Sequence, residues 1–131
     1  GDYANDEKTK KFHGSLSIKY YKNAINIINK KVRNPIYFIF SDDIGWCKKN
    51  FGGLKNVFFV EGNTGAKDYE DMRLMSNCKH SIIANSSFSW WGAWLNSDPS
   101  KIVVAPKKWF LDMKAQEEIG KEIVPKTWII I

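Results

Sequence analysis

The chain has 131 residues, of which 44% are hydrophobic and 15% aromatic. It is therefore long enough for one domain and apolar enough for a packed core, which excludes a disordered chain. The formal net charge of +6 favours anionic partners, such as a nucleotide, a phosphate group, nucleic acid or an anionic membrane surface. The lysines form no dense tract, so charge alone does not choose among these partners.

Two cysteines, Cys47 and Cys78, stand apart without a surrounding pattern of Cys and His. We therefore predict neither a disulfide scaffold nor a metal site, and we interpret both as buried free thiols. No apolar run reaches the roughly 18 residues of a transmembrane helix, and no signal peptide is visible. We expect a soluble domain without a transmembrane segment.

The first fifteen residues, GDYANDEKTKKFHGS, are polar and lack helical or strand periodicity, which predicts a loop. From Leu16 onward, apolar side chains recur at i, i+3, i+4 and i+7. This spacing predicts an amphipathic helix that begins at Ser15 or Ser17 and stops at Asn34-Pro35. Its apolar positions are Ile18, Tyr21, Ala24, Ile25, Ile28 and Val32.

Short apolar runs then alternate with helical patterns. The runs at residues 36–40, 57–60, 81–84 and 102–105 predict strands, the first two buried and covered on both faces. Helices are predicted at residues 44–51, about 67–78 and 88–95. Residues 107–131 are predicted to be irregular, with one helix and a terminal apolar strand.

This alternation predicts an α/β fold, a Rossmann-like parallel sheet with right-handed crossovers and helices on both faces. In such sheets the ligand lies outside the carboxyl ends of the strands. The segments expected to carry the ligand site are therefore residues 41–43, 61–63 and 85–87 and the loop after Ala105.

The stretch IIANSSFSWWGAWL, residues 82–95, passes from a strand through small polar residues to three tryptophans within five positions. The first amides of a helix that begins here are unsatisfied and lie at the positive end of its dipole, which suits a phosphate. Asn85, Ser86, Ser87 and Ser89 would add an amide and hydroxyls, and the tryptophans would anchor the helix. The alternative is a serine that only caps the helix and tryptophans that only fill the core; the spacing leaves both open.

The other polar residues also have interpretations that need no function. Asp42 and Asp43 follow a strand and suit a general base or a ribose-binding pair, although an Asp there more often caps the next helix. By pattern, Asp71 is a solvated carboxylate within a helix, and His13 and His80 are structural or exposed. The sequence contains neither GxGxxG nor a Walker A motif, so a dehydrogenase or P-loop ATPase is not indicated.

Three segments resemble the α-1,2-fucosyltransferases, glycosyltransferase family eleven. Residues 71–95, DMRLMSNCKHSIIANSSFSWWGAWL, resemble a signature block, residues 38–48 a strand with a Trp-Cys pair, and residues 104–110 the closing region. Gly1-Asp2-Tyr3 resembles the end of the family's His-x-Arg-Arg-Gly-Asp-Tyr motif. The resemblance identifies residues 1–131 as the single GDP-fucose-binding domain in the carboxyl-terminal part of a GT-B type enzyme, truncated at its amino-terminal edge. It implies that the motif's His and Arg precede Gly1, and that the acceptor-binding amino-terminal domain and the first strand of the nucleotide domain are missing.

The resemblance implies transfer of fucose from GDP-fucose, with inversion, to the 2-hydroxyl of a β-galactoside, without a cofactor or obligatory metal. It implies that Asp71 contacts the guanine. It also implies that the pyrophosphate is bound by Asn85, Ser86, Ser87, Phe88 and Ser89. Residues adjacent to the site would be Ser41, Asp42 and Asp43, and the candidates for the general base are Asp2 and Glu7.

An arginine of the absent motif holds the β-phosphate in related enzymes, so we expect the isolated chain to show no fucosyl transfer. The parent would be a bacterial cytoplasmic enzyme, peripheral at the inner membrane. Two other hypotheses are a non-catalytic nucleotide-binding module and a basic nucleic-acid-binding domain. No stacking or groove-reading motif supports nucleic-acid binding.

Overall fold

The computed structural model describes residues 16–63, 65–120 and 122–131. The predicted loop at residues 1–15, which includes Ser15 and His13, lies outside them. The elements in chain order are α1 (Ile18–Lys31), β1 (Tyr37–Ile39), α2 (Ile44–Phe51), β2 (Val57–Phe59), a 3-10 turn (Gly65–Lys67), α3 (Asp68–Asn77), β3 (Ser81–Ile82), α4 (Ser87–Leu95), β4 (Val103–Ala105), α5 (Met113–Ala115), a π-helical turn (Gln116–Gly120) and β5 (Ile129–Ile130).

All strand pairs of the described residues are parallel, which confirms the α/β, Rossmann-like fold. β1 pairs with β2, and β3, β4 and β5 form a second sheet in that order. No strand in the part of the chain that the structure describes joins β1 to β3. No helix in this part is both long and apolar enough to cross a membrane.

Helix α1 begins after Ser17, as its sequence predicts, and ends at Lys31, shortly before the predicted stop at Asn34-Pro35. Ser17 is the N-cap, and its hydroxyl accepts a hydrogen bond from the Tyr20 amide at 3.4 Å. Lys30 and Lys31 occupy the last turn, where cations oppose the negative end of the helix dipole. The buried face consists of Tyr20, Ala24, Ile25 and Ile28, so Tyr20 rather than Tyr21 takes the more buried position.

Strands β1 and β2 are covered on one face only among the described residues. Tyr37, Ile39 and Phe59 pack beside the core of α1 and α2. On the opposite face, Phe38 and Phe58 are 51% and 56% exposed, and their rings stack at 5.6 Å. The prediction of two covered faces is wrong here, because both packed helices lie on the same side.

The second sheet has helices on both faces, as predicted. Val104 packs against Ala24 and Ile28 of α1. Its neighbours Val103 and Ala105 point the other way, into a cluster that contains Ala93 of α4. Because all three β4 side chains are buried, this strand forms the centre of the core.

The hydroxyl of Tyr20 completes the hydrogen bonding at the end of β3. It donates to the Ile83 carbonyl at 2.6 Å and lies 3.3 Å from the Val104 carbonyl. The Ile83 amide donates to Val104, and the parallel ladder would next pair the Ile83 carbonyl with residue 106. Position 106 is Pro, which has no amide hydrogen, so Tyr20 supplies the missing donor.

The free energy of unfolding should fall in alkali because of these buried tyrosines. Burial raises the pKa of Tyr20 well above its ordinary value and that of Tyr21 to about 12. An unfolded tyrosine ionises near pH ~10, so the stabilisation is complete below pH ~10 and is lost as the pH rises above it, by up to ~1.4 kcal/mol per pH unit per tyrosine. Denaturant titrations from pH 8 to 12 should give a shallower decline for Tyr20→Phe than for the unaltered chain. Equal declines would contradict the role of Tyr20.

Helices α3 and α4 approach closely at Gly92. A Cβ atom at Gly92 would lie 2.9 Å from Cβ and 3.0 Å from Sδ of Met75. Such overpacking costs ~1–3 kcal/mol, and the better helix propensity of alanine offsets up to ~1 kcal/mol of that cost.

We expect Gly92→Ala to lower the free energy of unfolding by roughly 1–2 kcal/mol. Gly53 is the matched control, because a Cβ there meets nothing within 4 Å, and Gly53→Ala should change stability by less than about 0.5 kcal/mol. Urea denaturation of both variants is the measurement. Equal changes in the free energy of unfolding would contradict the account of a close α3–α4 contact at Gly92.

Candidate functional site

The carboxyl ends of the strands carry the polar segments that the sequence indicated. β1 is followed by Ser41 and Asp42, β2 by the loop with Asn63, β3 by Asn85 and Ser86, and β4 by the loop with Lys107. In open parallel sheets this edge is where ligands bind. The structure thus brings these segments to the ends predicted for them.

Helix α4 begins with amide donors that its own N-cap side chain does not cap. Ser86 is the N-cap residue, but its side chain makes no cap hydrogen bond, and the first turn contains no acidic residue. Ser87 is exposed, whereas the Ser89 hydroxyl donates to the Ser86 carbonyl at 3.0 Å. The first amides of this nine-residue helix, with its dipole, therefore favour an anion in front of Ser87.

The three tryptophans of α4 differ in their roles. Trp90 stacks on Trp94 with ring centroids 5.1 Å apart, and its indole nitrogen donates to the Ile123 carbonyl at 2.9 Å. Trp91 and Trp94 are about half exposed. The prediction that all three anchor the helix is therefore wrong for two of them: Trp90 alone of the three packs against the cluster of β3 and β4.

Asn85 ties the start of α4 to the loop after β4. Its side chain is 5% exposed, and its amide nitrogen donates to the Trp109 carbonyl at 3.2 Å. This contact positions the turn between β3 and α4.

Gln116 also holds the loop after β4, a role that the sequence pattern does not indicate. Its carbonyl oxygen accepts hydrogen bonds from the amides of Trp109 and Phe110 at 2.8 and 2.9 Å. Exposed Lys107 and Lys108 lie in this loop. By sequence, Gln116 has the appearance of an ordinary surface residue of a helix. Its partners are backbone amides of a loop, and the sequence does not show where that loop lies.

Asp71 is attached to the loop that follows β2. It is partly buried in the first turn of α3, and the Asn63 side chain donates to its Oδ1 at 2.7 Å. The interpretation of Asp71 as a solvated helix carboxylate is therefore wrong. The contact uses one of its two oxygens, and a carboxylate with this placement can accept donors from a base edge.

Asp43 caps α2, in agreement with the capping interpretation. Its Oδ1 accepts a hydrogen bond from the Trp46 amide at 2.9 Å, and the Ser41 hydroxyl accepts one from the Asp43 amide at 3.0 Å. Asp42 is exposed beside this cap. An exposed ion pair between Lys48 and Glu61 links α2 to the loop after β2.

The remaining candidates are structural or lie elsewhere. His80 precedes β3, at the opposite edge, and its Nδ1 accepts a hydrogen bond from the Ile102 amide at 3.1 Å. Cys47 is a buried free thiol as predicted, but Cys78 is only partly buried. Burial raises the pKa of both thiols. Asp2 and Glu7 lie outside the described residues.

The profile of glycosyl transferase family 11 matches residues 1–131. The chain belongs to this family. It is 43% identical over 136 residues to an alpha-1,2-colitosyltransferase of Escherichia coli, an alignment that covers 100% of this chain and 44% of the relative. It is 44% identical over 110 residues to the O-antigen biosynthesis glycosyltransferase WbnK of Escherichia coli, covering 84% of this chain and 36% of the relative.

A more distant relative is the galactoside 2-alpha-L-fucosyltransferase SEC1 of Bos taurus, with 28% identity over 72% of this chain and 26% of the relative. The chain thus spans less than half the length of these relatives. No solved structure matches it. Family membership agrees with the resemblance that the block at residues 71–95 indicated.

Removal of Gln116 should loosen the loop after β4. Gln116→Ala removes the oxygen that accepts from the Trp109 and Phe110 amides, and the loss of an acceptor costs ~1–3 kcal/mol per buried donor. We expect faster hydrogen exchange at these two amides and a lower free energy of unfolding. Glu118→Ala, an exposed neighbour in the same turn, is the matched control. Unchanged exchange in Gln116→Ala would contradict this account of the loop.

Proposed function

We propose that the chain is the donor-binding part of an inverting glycosyltransferase that transfers fucose from GDP-fucose to the 2-hydroxyl of a β-galactoside. The observation that carries the proposal is the start of α4 at the carboxyl end of β3, where the N-cap side chain makes no capping hydrogen bond, in a chain of glycosyl transferase family 11. The relative from Bos taurus is named a galactoside 2-alpha-L-fucosyltransferase. The parent in this proposal is a GT-B type bacterial enzyme of the cytoplasm, peripheral at the inner membrane.

The start of α4 would stabilise the leaving group. As the bond between the anomeric carbon and the β-phosphate oxygen breaks, negative charge grows on GDP. The amides of Ser87, Phe88 and Ser89 are fixed donors aimed at such charge, and Lys107 and Lys108 add positive charge after β4. Because Asn85 and Gln116 hold this part of the edge, the donors need little rearrangement during the reaction.

Asp71 would read the guanine base. The N1 and N2 groups of guanine are donors, and a carboxylate offers two acceptor oxygens in a matching arrangement. Asn63 holds Oδ1 at 2.7 Å, which orients the carboxylate at the end of the loop after β2. Adenine presents a different edge, so this contact would favour guanine nucleotides.

The acceptor reaction needs groups beyond these. The 2-hydroxyl attacks the anomeric carbon from the face opposite GDP, which inverts the configuration, and a base removes the hydroxyl proton. Asp2 and Glu7 stay the candidates for this base, with no cofactor or metal ion in the proposed step. We expect the 131-residue chain alone to bind GDP and to show no transfer, because the arginine motif and the acceptor-binding part are absent from it.

A colitosyl donor is the second candidate, because a relative with 43% identity is named an alpha-1,2-colitosyltransferase. The two donors share the nucleotide part of the proposed site. They are distinguished by competition between GDP-fucose and GDP-colitose in a transfer assay on the parent protein.

Titration calorimetry with GDP tests the nucleotide site. A lost hydrogen bond to a charged group costs ~1.5–3 kcal/mol, so Asp71→Asn should bind GDP roughly 10- to 100-fold more weakly and lose its preference for GDP over ADP. Asp68→Asn, which changes an exposed carboxylate in the same first turn, should bind as the unaltered chain does. Ser87→Ala should weaken GDP binding without changing the preference for guanine.

Other results would contradict parts of this proposal. Equal GDP affinity in the unaltered chain, Asp71→Asn and Ser87→Ala would refute the site. Binding that falls steeply with salt, with no preference for guanine, would favour a nucleic-acid partner. GDP binding together with an inactive parent protein would favour a non-catalytic module, and transfer by the 131-residue chain alone would refute its predicted inactivity.

A further inference from the structure

An exposed tryptophan lies at the carboxyl edge of the first sheet. Trp46 stands in the first turn of α2, the helix that follows the carboxyl end of β1. It is 40% exposed, whereas Cys47 and Phe51 of the same helix are buried. Ligands of open parallel sheets bind at this edge. A large apolar ring is therefore open to solvent where a ligand is expected.

Three contacts hold Trp46 in place. Its amide donates to Asp43 Oδ1 at 2.9 Å, and its carbonyl accepts from the Asn50 side chain at 2.8 Å. The centroid of its ring lies 5.7 Å from that of Phe51, at an interplanar angle of 72°, an edge-on arrangement that aromatic pairs favour. A side chain that is already fixed loses little conformational freedom when a ligand binds. Trp46 therefore offers a preorganised apolar surface.

Polar groups lie in the chain on either side of this ring. Asp43 is exposed, and its cap bond uses Oδ1, so the carboxylate can accept further hydrogen bonds. Exposed Lys49, three residues after Trp46, adds donors on the same side of the helix. Asp43 already supplies the anion that the start of α2 favours, and its charge disfavours a phosphate here. The surface suits a neutral ligand with hydroxyl groups and an apolar face.

A sugar ring has this chemistry. One face of a galactose ring presents several C–H groups, which pack against the electron-rich face of an aromatic ring. Its hydroxyl groups donate to carboxylates and accept from ammonium groups. Sites for small molecules likewise combine an apolar surface with a few polar groups that fix the orientation of the ligand. Trp46 and Asp43 thus match a hexose better than an anionic ligand.

Helix α2 packs beside the start of α1. The ring of Tyr21, in the first turn of α1, lies 5.9 Å from that of Phe51, which in turn contacts Trp46. The segment with the candidate bases Asp2 and Glu7 leads into this end of α1. A sugar on Trp46 would therefore lie near the point at which that segment joins the described chain.

We propose that Trp46 and Asp43 form a binding platform for the galactose ring of the acceptor. The C–H face of the sugar packs on the indole ring, and a hydroxyl of the sugar donates to the Asp43 carboxylate. The platform binds the acceptor and does not contact GDP. The choice of a galactoside rests on the proposed function, whereas the position of the platform rests on the contacts of Trp46.

The test measures transfer kinetics of the parent enzyme. Trp46→Ala should raise KM for the β-galactoside acceptor about fivefold or more, with kcat and the KM for the nucleotide sugar unchanged, because the platform contributes binding alone. Trp91→Ala is the matched control, since Trp91 is 48% exposed and also meets a neighbouring ring edge-on; it should change none of these constants. If Trp46→Ala fails to fold, Trp46→Leu, which retains an apolar contact with Phe51, decides in its place.

Asp43→Asn tests the polar half of the platform. Asparagine caps a helix as well as aspartate does, so Trp46 stays in place while the charged acceptor is lost. We expect the KM for the acceptor to rise about fivefold, with an unchanged free energy of unfolding. An unchanged acceptor KM in the Trp46 and Asp43 variants would overturn the proposal. An equal rise in the KM for the nucleotide sugar would also overturn it, because the ring would then belong to the donor site.

A failure of the proposed function gives a different result. If the parent enzyme transfers no sugar to a galactoside, the 131-residue chain is titrated with methyl β-D-galactopyranoside and followed by NMR. A saturable shift of the Trp46 indole resonance, absent with methyl β-D-glucopyranoside, would support the platform and leave only the proposed transfer refuted. No shift, or equal shifts with the two sugars, would overturn the platform itself.

Discussion

The packing of α1 against both sheets is the constraint on which the rest of the structure depends. The two sheets share no hydrogen-bonded strand pair among the described residues, so their alignment relies on side chains of α1. Ile25 joins the core beside β1, whereas Ala24 and Ile28 join the core at Val104. The Tyr20 hydroxyl adds a polar tie to the end of β3 at Ile83.

This constraint determines the position of the proposed site. The uncapped amides of α4 follow the end of β3 that Tyr20 secures, and Asp71 follows β2 on the other sheet. Any ligand that reaches both groups bridges the two sheets. Hydrogen bonds of Asn85, Gln116 and Asn63 hold individual loops at this edge. The loops of the site are therefore fixed locally, and α1 aligns the two sheets that carry them.

Much of the fold could be predicted from the sequence, because periodicity reports burial directly. The apolar side chains of α1 at i, i+3, i+4 and i+7 correctly predicted a helix. The apolar runs of β1 to β4 correctly predicted strands, since each run is a local pattern of side chains. The exposed face at Phe38 and Phe58 could not be predicted. It depends on which chain segments pack beside a strand, and a continuous apolar run has the same appearance whether one face is covered or two.

The site was predictable to a similar extent. The position of the serines after β3 followed from sheet topology, and Asp43 followed from capping rules. The sequence did not predict the hydrogen bond between Asn63 and Asp71 or the contacts of Gln116. Each of them joins a side chain to a loop whose path the sequence pattern does not define. The family resemblance named a ligand for these residues, which spacing alone left open.

The central claim is that a guanosine diphosphate binds across the end of α4 and the loop after β2. The most direct measurement is a ¹⁵N–¹H NMR titration of the chain with GDP and, separately, with guanosine. We predict that GDP shifts the amides of Ser87, Phe88 and Ser89 together with those near Asn63, and that guanosine shifts only the resonances near Asn63 and Asp71. Shifts confined to other parts of the chain, or identical shifts of the α4 amides by both ligands, would contradict the claim.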